Sequence, residues 1–213
     1  MENIRIDPRD SRVIRTRGLT LLKASHPEVR KLRRRNHEPS IHGNKVWNSS
    51  FLIMDWLMRN RPPEGARFMD LGCGWGPLSL HATRRLKQKV LAVDADPEVF
   101  PFLELHAAIN GVEIETRCQR FERITQRQMK GFHTLAGADI CFWDELTPVL
   151  FNLIRRALRA GVQRVVVADP GRSPFYNLAE RCEQKLKADV QLVERNTHTP
   201  KRLSADLLIV APR

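Results

Sequence analysis

From Arg67 onward, short apolar runs alternate with longer segments of helical periodicity, and this alternation restricts the fold more than any other feature of the chain. "ARFMDLG" has the character of a strand and "PLSLHATRRLK" of a helix. "KVLAVDAD" is again strand-like, followed by a helical "PEVFPFLELHAAIN" that Gly111 closes. Further strands are expected at "VEIETRCQ", "ADICFWDE" and "QRVVVADP". A helix is expected at "PVLFNLIRRALRAG", with Thr147 as its cap, Pro148 in the first turn and Gly161 just past its end. Apolar strands separated by helices pair in parallel and are covered on both faces. The end of the chain breaks the pattern: after the helical "SPFYNLAERCEQKLK", the strand-like "DVQLVERNT" and "SADLLIVAP" are separated only by a polar turn containing proline. Such a pair forms an antiparallel hairpin at the sheet edge. Ahead of the alternation, "NSSFLIMDWLMRN" has the spacing of an amphipathic helix, with Ser49 or Ser50 as its cap and Pro62 and Pro63 beyond its end.

A chain of 213 residues suits one core. The division expected is a basic N-terminal extension over 1–45 and an α/β domain over 46–213. The extension holds 12 Lys and Arg against 5 Asp and Glu, most of a net charge of +12, which points to an acidic or polyanionic partner. A protein substrate and an RNA or ribosomal one both satisfy that charge, and a passive solvated arm does too. No aromatic residues interleave with "RKLRRRNH", so no stacking platform for single strands is expected there. No apolar run reaches the length of a membrane span, and the N-terminus lacks the apolar core of a signal peptide, so a soluble cytoplasmic protein is expected. The four cysteines form no C-x-x-C and are read as reduced. The seven histidines show no metal-binding spacing, so no metal is expected.

The turn after the first strand, "FMDLGCGWG", places three glycines at alternate positions. In a doubly wound sheet this turn lies closest to the ligand, and glycine removes the Cβ that would hold the ligand away. The spacing D-x-G-x-G-x-G is not the G-x-G-x-x-G that seats a pyrophosphate on a helix N-terminus. Asp70, at the strand end, repels phosphate but suits a cationic ammonium or sulfonium. Eighteen residues beyond Gly76, Asp94 ends the second strand, where a carboxylate accepts hydrogen bonds from ribose hydroxyls. Together these call for a ligand with a ribose, an adenine-like ring and a charged amino-acid tail, but no phosphates.

On these residues, "FMDLGCGWG", "VLAVDADP" and the terminal hairpin, the chain resembles the class I S-adenosylmethionine-dependent methyltransferases over about residues 45–213. The resemblance implies a Rossmann-like sheet of seven strands in the order 3-2-1-4-5-7-6, with S-adenosyl-L-methionine as cofactor. It places the methionine part near Asp70, Gly72, Cys73, Gly74 and Gly76, the ribose on Asp94, and the adenine near Cys118 and Gln119 in "RCQRF". "GNKVWNSSFLIMDWL" resembles the segment before the first motif in family 16 methyltransferases, many of which modify protein lysines. "VVVADPGRSPF" is similar to a stretch in the lysine methyltransferase of the electron-transfer flavoprotein β subunit. Family 16 carries D-x-x-Y after the fourth strand, where this chain has "DELT", Asp144 to Thr147.

A lysine acceptor needs a carboxylate to orient its amine, a role expected for Asp144, with Glu145 beside it. Asp169, at the end of the fifth strand, is the second catalytic candidate, and Arg172, Trp47 and Trp143 are expected to bind substrate. Asp144 also suits a helix N-terminus, and D-P-G-R also suits a structural turn. The expected activity is methylation of a protein lysine. An RNA or ribosome-associated methyltransferase and a non-catalytic binding module on the same fold are the alternatives.

Overall fold

The computed structural model describes residues 6–7, 9–35 and 42–213. Its main sheet has seven strands, and alternation of side chains along each strand sorts them to two faces. The strands are β3 (Arg67–Leu71), β4 (Lys89–Asp94), β5 (Glu115–Cys118), β6 (Phe132–Ala138), β7 (Arg164–Asp169), β8 (Ala188–Thr197) and β9 (Leu203–Pro212). They lie in the order β5-β4-β3-β6-β7-β9-β8, which is 3-2-1-4-5-7-6 when counted within the sheet. All neighbours are parallel except β9, antiparallel to both β7 and β8.

Phe68, Ala92, Val166, Ala168, Leu207 and Ile209 face a core shared with α2 (Ser49–Arg59), α3 (Pro77–Arg84) and α4 (Phe100–Asn110). Their neighbours in sequence, Met69, Leu91, Val93, Val165, Val167, Leu208 and Val210, face the opposite core under α5 (Gln126–Met129), α6 (Leu146–Arg159) and α7 (Ser173–Lys185). Period-two alternation, with both faces apolar, makes the runs look continuously hydrophobic in sequence.

One expected strand is misplaced in the sequence reading. The fourth strand of the sheet is "FHTLAGA", β6, and "ADICFWDE" forms the turn after it. The chain leaves the sheet at Asp139, whose φ of +55° is left-handed, and Ile140 folds back over Gly137. A Cβ on Gly137 would lie 2.6 Å from Ile140 Cδ1 and 2.9 Å from the Leu71 carbonyl. The run Ile140-Cys141-Phe142-Trp143 is apolar because it caps the core and lines a cleft, not because it pairs in the sheet. Helix α6 begins at Leu146 with Glu145 at its cap position, ahead of the expected Thr147. Asn48, not a serine, occupies the cap position of α2.

The N-terminal segment, poorly periodic in sequence apart from the helical run "PEVRKLRRR", contains a hairpin of β1 (Val13–Thr16) and β2 (Leu19–Leu22), followed by α1 (Pro27–Arg35) on that run. Arg17 and Gly18 turn the hairpin with φ of +50° and +76°, the signs a tight type I′ connection requires. Asn110 of α4 pairs with Thr20 through both its amide groups, at 2.9 and 2.8 Å. His106 Nε2 accepts the Leu22 N–H at 2.9 Å. Leu19 and Leu21 enter the core of α2 and α3, while Leu22 and Val29 pack with Trp75 and Phe102, whose rings stack at 5.0 Å. Among the described residues, no helix is long and apolar enough to cross a membrane.

Candidate active site

The parallel strands β3, β4 and β6 all end at one cleft of about 220 Å³, and the turns after β5 and β6 wall it. At its floor the three glycines divide into different roles. Gly76, with φ of +74°, is where α3 meets α4: an added Cβ would fall 2.7 Å from Leu103 Cγ. Gly72, with φ of +64°, lies under Ile140, which a Cβ would meet at 2.7 Å. Gly74 has φ of +51°, and a Cβ there would meet nothing within 4 Å. Its bare backbone opens onto the cleft and onto a smaller cavity of about 30 Å³ beside it. Packing explains two of the glycines, and the third leaves room for a ligand.

Asp94 lines the cleft. Its Oδ2 accepts the Gly74 N–H and its Oδ1 the Asp96 N–H, both at 3.0 Å, so the carboxylate is fixed while each oxygen keeps a second lone pair. Burial pushes its carboxyl above the ordinary value, against the pull of those two N–H groups. Asp70 is buried on the wall of the smaller cavity. Its Oδ2 accepts from the Ser79 N–H at 3.0 Å and the Ser79 hydroxyl at 2.6 Å, which anchors the first turn of α3. Its other oxygen has no partner among the described residues. Burial pushes the Asp70 carboxyl up to about 7. Cys73 turns into the core between them, its N–H bonded to the Val93 carbonyl.

On the β5 side the wall is Arg120, Phe121 and Glu122. Cys118 and Gln119 stand just outside it. The Cys118 thiol contacts the Ala95 carbonyl, and the Gln119 side chain turns away to Gln128 and the Arg123 carbonyl. Phe121, two positions past Gln119, supplies the flat apolar surface that a purine needs. It lies within "RCQRF", but nothing in the local pattern separates it from its neighbours.

The far end of the cleft is aromatic. Trp47 and Trp143 both line it, together with His42 and Phe142. The His42 ring stacks on Phe142 at 4.1 Å and lies 5.2 Å from Trp143. Beneath them sits a group of charges the sequence reading found only in part. Arg172 Nη1 donates to Asp169 Oδ2 at 2.7 Å and to Asp139 Oδ1 at 3.2 Å, and its guanidinium lies 4.4 Å from the centre of the Phe142 ring. Asp169 is fully buried, and its Oδ1 accepts the Gly171 and Arg172 N–H groups. Burial raises its carboxyl while Arg172 pulls it down. Asp139 Oδ2 accepts the Ser49 N–H, so it serves as the missing cap of α2.

Asp144 and Glu145 lie outside this group: both are exposed, and Asp144 accepts a bond from Asn177 at 3.3 Å. The carboxylate at the end of the fourth strand is Asp139, and the spacing D-x-x-aromatic is present there as Asp139-Ile140-Cys141-Phe142. Placing the strand six residues too late hid it. Among the described residues no cluster of His, Cys, Asp and Glu has the arrangement of a metal site.

Comparison with known proteins agrees with this fold. Residues 68–162 match the family description "Methyltransferase domain". The chain is 29% identical over 131 residues to the electron transfer flavoprotein beta subunit lysine methyltransferase of Xenopus laevis, covering 61% of this chain and 52% of that protein. It is 34% identical over 83 residues to a ubiquinone biosynthesis O-methyltransferase of Xylella fastidiosa, covering 39% of this chain and 33% of the relative. The chain thus spans a third to about half the length of these curated relatives. A SAM-dependent methyltransferase from Agrobacterium tumefaciens shares the fold, with a TM-score of 0.66 and 15% identity over 98% of this chain and 73% of that one. Residues 68–162 thus match a methyltransferase domain, on a sheet with the strand order of the class I S-adenosylmethionine-dependent fold. S-adenosylmethionine is its cofactor, and the open cradle at Gly74, the fixed carboxylate of Asp94 and the unpartnered oxygen of Asp70 fit that molecule's shape and charge.

Proposed function

We propose that this protein transfers a methyl group from S-adenosylmethionine to the side-chain amine of a protein lysine. The observation that carries the reading is the aromatic end of the cleft, whose Trp47 and Phe142 rings already have long cationic side chains against them. Lys45 Nζ lies 4.2 Å from the Trp47 ring centre, and Arg172 stacks on Phe142. Such faces attract ammonium groups. The lysine methyltransferase relative also matches a longer part of the chain than the ubiquinone one does.

In this reading Asp94 grips the ribose, Gly74 admits the backbone of the amino-acid tail, and Asp70 faces its ammonium. The bound sulfonium supplies an electrophilic methyl group. The protein's own task is to hold a neutral nucleophile in line with it and keep water out. Asp139 ties α2 to Arg172 and Asp169, so Trp47 and Phe142 are held in fixed positions at the acceptor end. Asp144, at the outer rim, suits contact with the substrate's surface rather than with its amine.

The basic N-terminal region supplies a docking surface. Arg30, Lys31, Arg34 and Arg35 are exposed on α1. Arg33 Nη2 donates to the Asn44 carbonyl at 2.6 Å, and Trp75 Nε1 donates to the Gly43 carbonyl at 2.8 Å, which ties α1 to the rim of the cleft. An acidic protein surface beside the target lysine suits these cations. The four free cysteines fit work in the reducing cytoplasm.

The test is to incubate the protein and methyl-labelled cofactor with lysate, then treat with protease or ribonuclease. Label that survives ribonuclease and is recovered as methyl-lysine supports the reading. Label lost to ribonuclease moves the substrate to RNA, and no transfer at all favours a binding module.

A further inference from the structure

Resting on the methyl-transfer reading, though not on which acceptor is correct, we infer that His42 is the catalytic base that takes the acceptor's proton. An ammonium or hydroxyl must give up a proton when it is methylated. The nitrogen or oxygen lone pair forms the new bond to the methyl carbon, the electron pair of the breaking S–C bond stays on sulfur, and the proton needs a place to go.

Among the described residues, the titratable groups lining the cleft are His42, Asp94, Arg120, Glu122 and Asp139. Arg120 is a fixed cation. Asp139 is buried, one oxygen held by the Ser49 N–H and the other by Arg172. Asp94 is held by two backbone N–H groups at the ribose end. Glu122 stands on the β5 side, beside Phe121. Outside the lining, Asp169 is fully buried against Arg172 and Asp144 faces Asn177.

His42 differs from all of these. Its ring lies at the aromatic end, and neither ring nitrogen has a hydrogen-bond partner among the described residues. The residue is exposed, so a captured proton passes on to water. Its position is also constrained. Its φ of +46° is rare for a residue with a side chain, and its carbonyl accepts the Trp47 Nε1–H at 2.8 Å. Among the described residues, the charges around it are Arg172 against Phe142, Lys45 against Trp47, and Asp139 on the same cleft wall. A neutral imidazole nitrogen carries a lone pair that can take a proton from an ammonium or hydroxyl held against it.

Two measurements test this together. The first needs no acceptor: the chain is labelled at the Cε1 carbon of its seven histidines, and the His42 signal is assigned by its loss in His42→Gln. Saturation with S-adenosylmethionine puts a sulfonium charge in the same cleft, and saturation with S-adenosylhomocysteine does not. The His42 titration midpoint is expected about half a pH unit lower with the charged ligand. The second follows turnover on labelled lysate protein or RNA. His42→Gln should lower kcat about 100-fold, leave calorimetric cofactor affinity within about twofold, and abolish the acid limb of the rate profile. In His42→Gly, added imidazole should restore part of the rate. Equal midpoints in the two complexes, or a His42→Gln enzyme that keeps the wild-type pH profile, would overturn the assignment. If no acceptor is turned over, the midpoint comparison still decides whether His42 faces the methyl group.

Discussion

Gly74 and Gly76 are two residues apart, share a left-handed backbone and look equivalent in sequence, yet replacing each by alanine should have opposite consequences. At Gly74 the added Cβ meets no protein atom within 4 Å. The cost to the ligand-free fold is therefore the left-handed conformation alone, about 1–2 kcal/mol, or roughly 2–8 °C in Tm for a chain of this size. The same Cβ projects into the space read here as the seat of the methionine tail, so affinity for S-adenosylmethionine should fall at least about tenfold. At Gly76 the Cβ would sit 2.7 and 2.9 Å from Leu103 Cγ and Cδ1. Overpacking adds about 1–3 kcal/mol to the same backbone cost, so Tm should fall by roughly 4–20 °C. Protein that remains folded should bind cofactor with little change, because the clash points into the interface of α3 and α4. Thermal unfolding without ligand, followed by calorimetric titration at a temperature where both variants are folded, separates the two terms. A Gly74→Ala protein that binds like wild type would refute the placement of the ligand over Gly74.

Asp70 gives a prediction in pH. Burial raises its carboxyl from 3.8 to about 7, so the native state holds this proton where the unfolded chain has already lost it. Stability of the ligand-free protein is then fullest below about pH 4 with respect to this group and declines as pH rises toward 7, by at most about 4 kcal/mol. Asp94, also raised, adds in the same direction, so the comparison is with Asp70→Asn, whose Tm should fall less across that range. Parallel Tm curves for the two proteins would show that Asp70 is not responsible. Removing the Asp139 carboxylate leaves the α2 N-terminus without its partner and Arg172 with Asp169 alone. Asp139→Ala should destabilise the fold by about 3 kcal/mol or more and depress turnover, whereas the exposed Asp144→Ala should alter stability by no more than about 0.5 kcal/mol. Urea unfolding with the same labelling assay measures both, and the reverse ranking would return the central role to Asp144.

The strands and the terminal hairpin were legible because both faces of a parallel sheet are apolar and its connections are helical. The glycine turn and the strand-end carboxylate were legible for a related reason: both are local features, and Asp94 stands where alternation along β4 puts it. The aromatic end of the cleft was not. Phe142 and Trp143 line a cleft yet carry the hydrophobic signature of a strand, so β6 was displaced and Asp139 hidden. The roles of Gly72 and Gly76 depend on Ile140 and Leu103, which are remote in sequence. The hairpin of β1 and β2 is held by His106 and Asn110, more than 80 residues away, so no short-range pattern announces it. His42 likewise gains its meaning only from Phe142, a hundred residues on.

The central claim is that S-adenosylmethionine lies across the ends of β3 and β4. A crystal structure with S-adenosylhomocysteine tests it most directly. The account predicts both ribose hydroxyls at about 2.6–3.0 Å from the Asp94 carboxylate, the purine against Phe121, and the amino-acid tail over Gly74 with its ammonium toward Asp70. A ligand bound elsewhere, or one whose ribose does not touch Asp94, would contradict it.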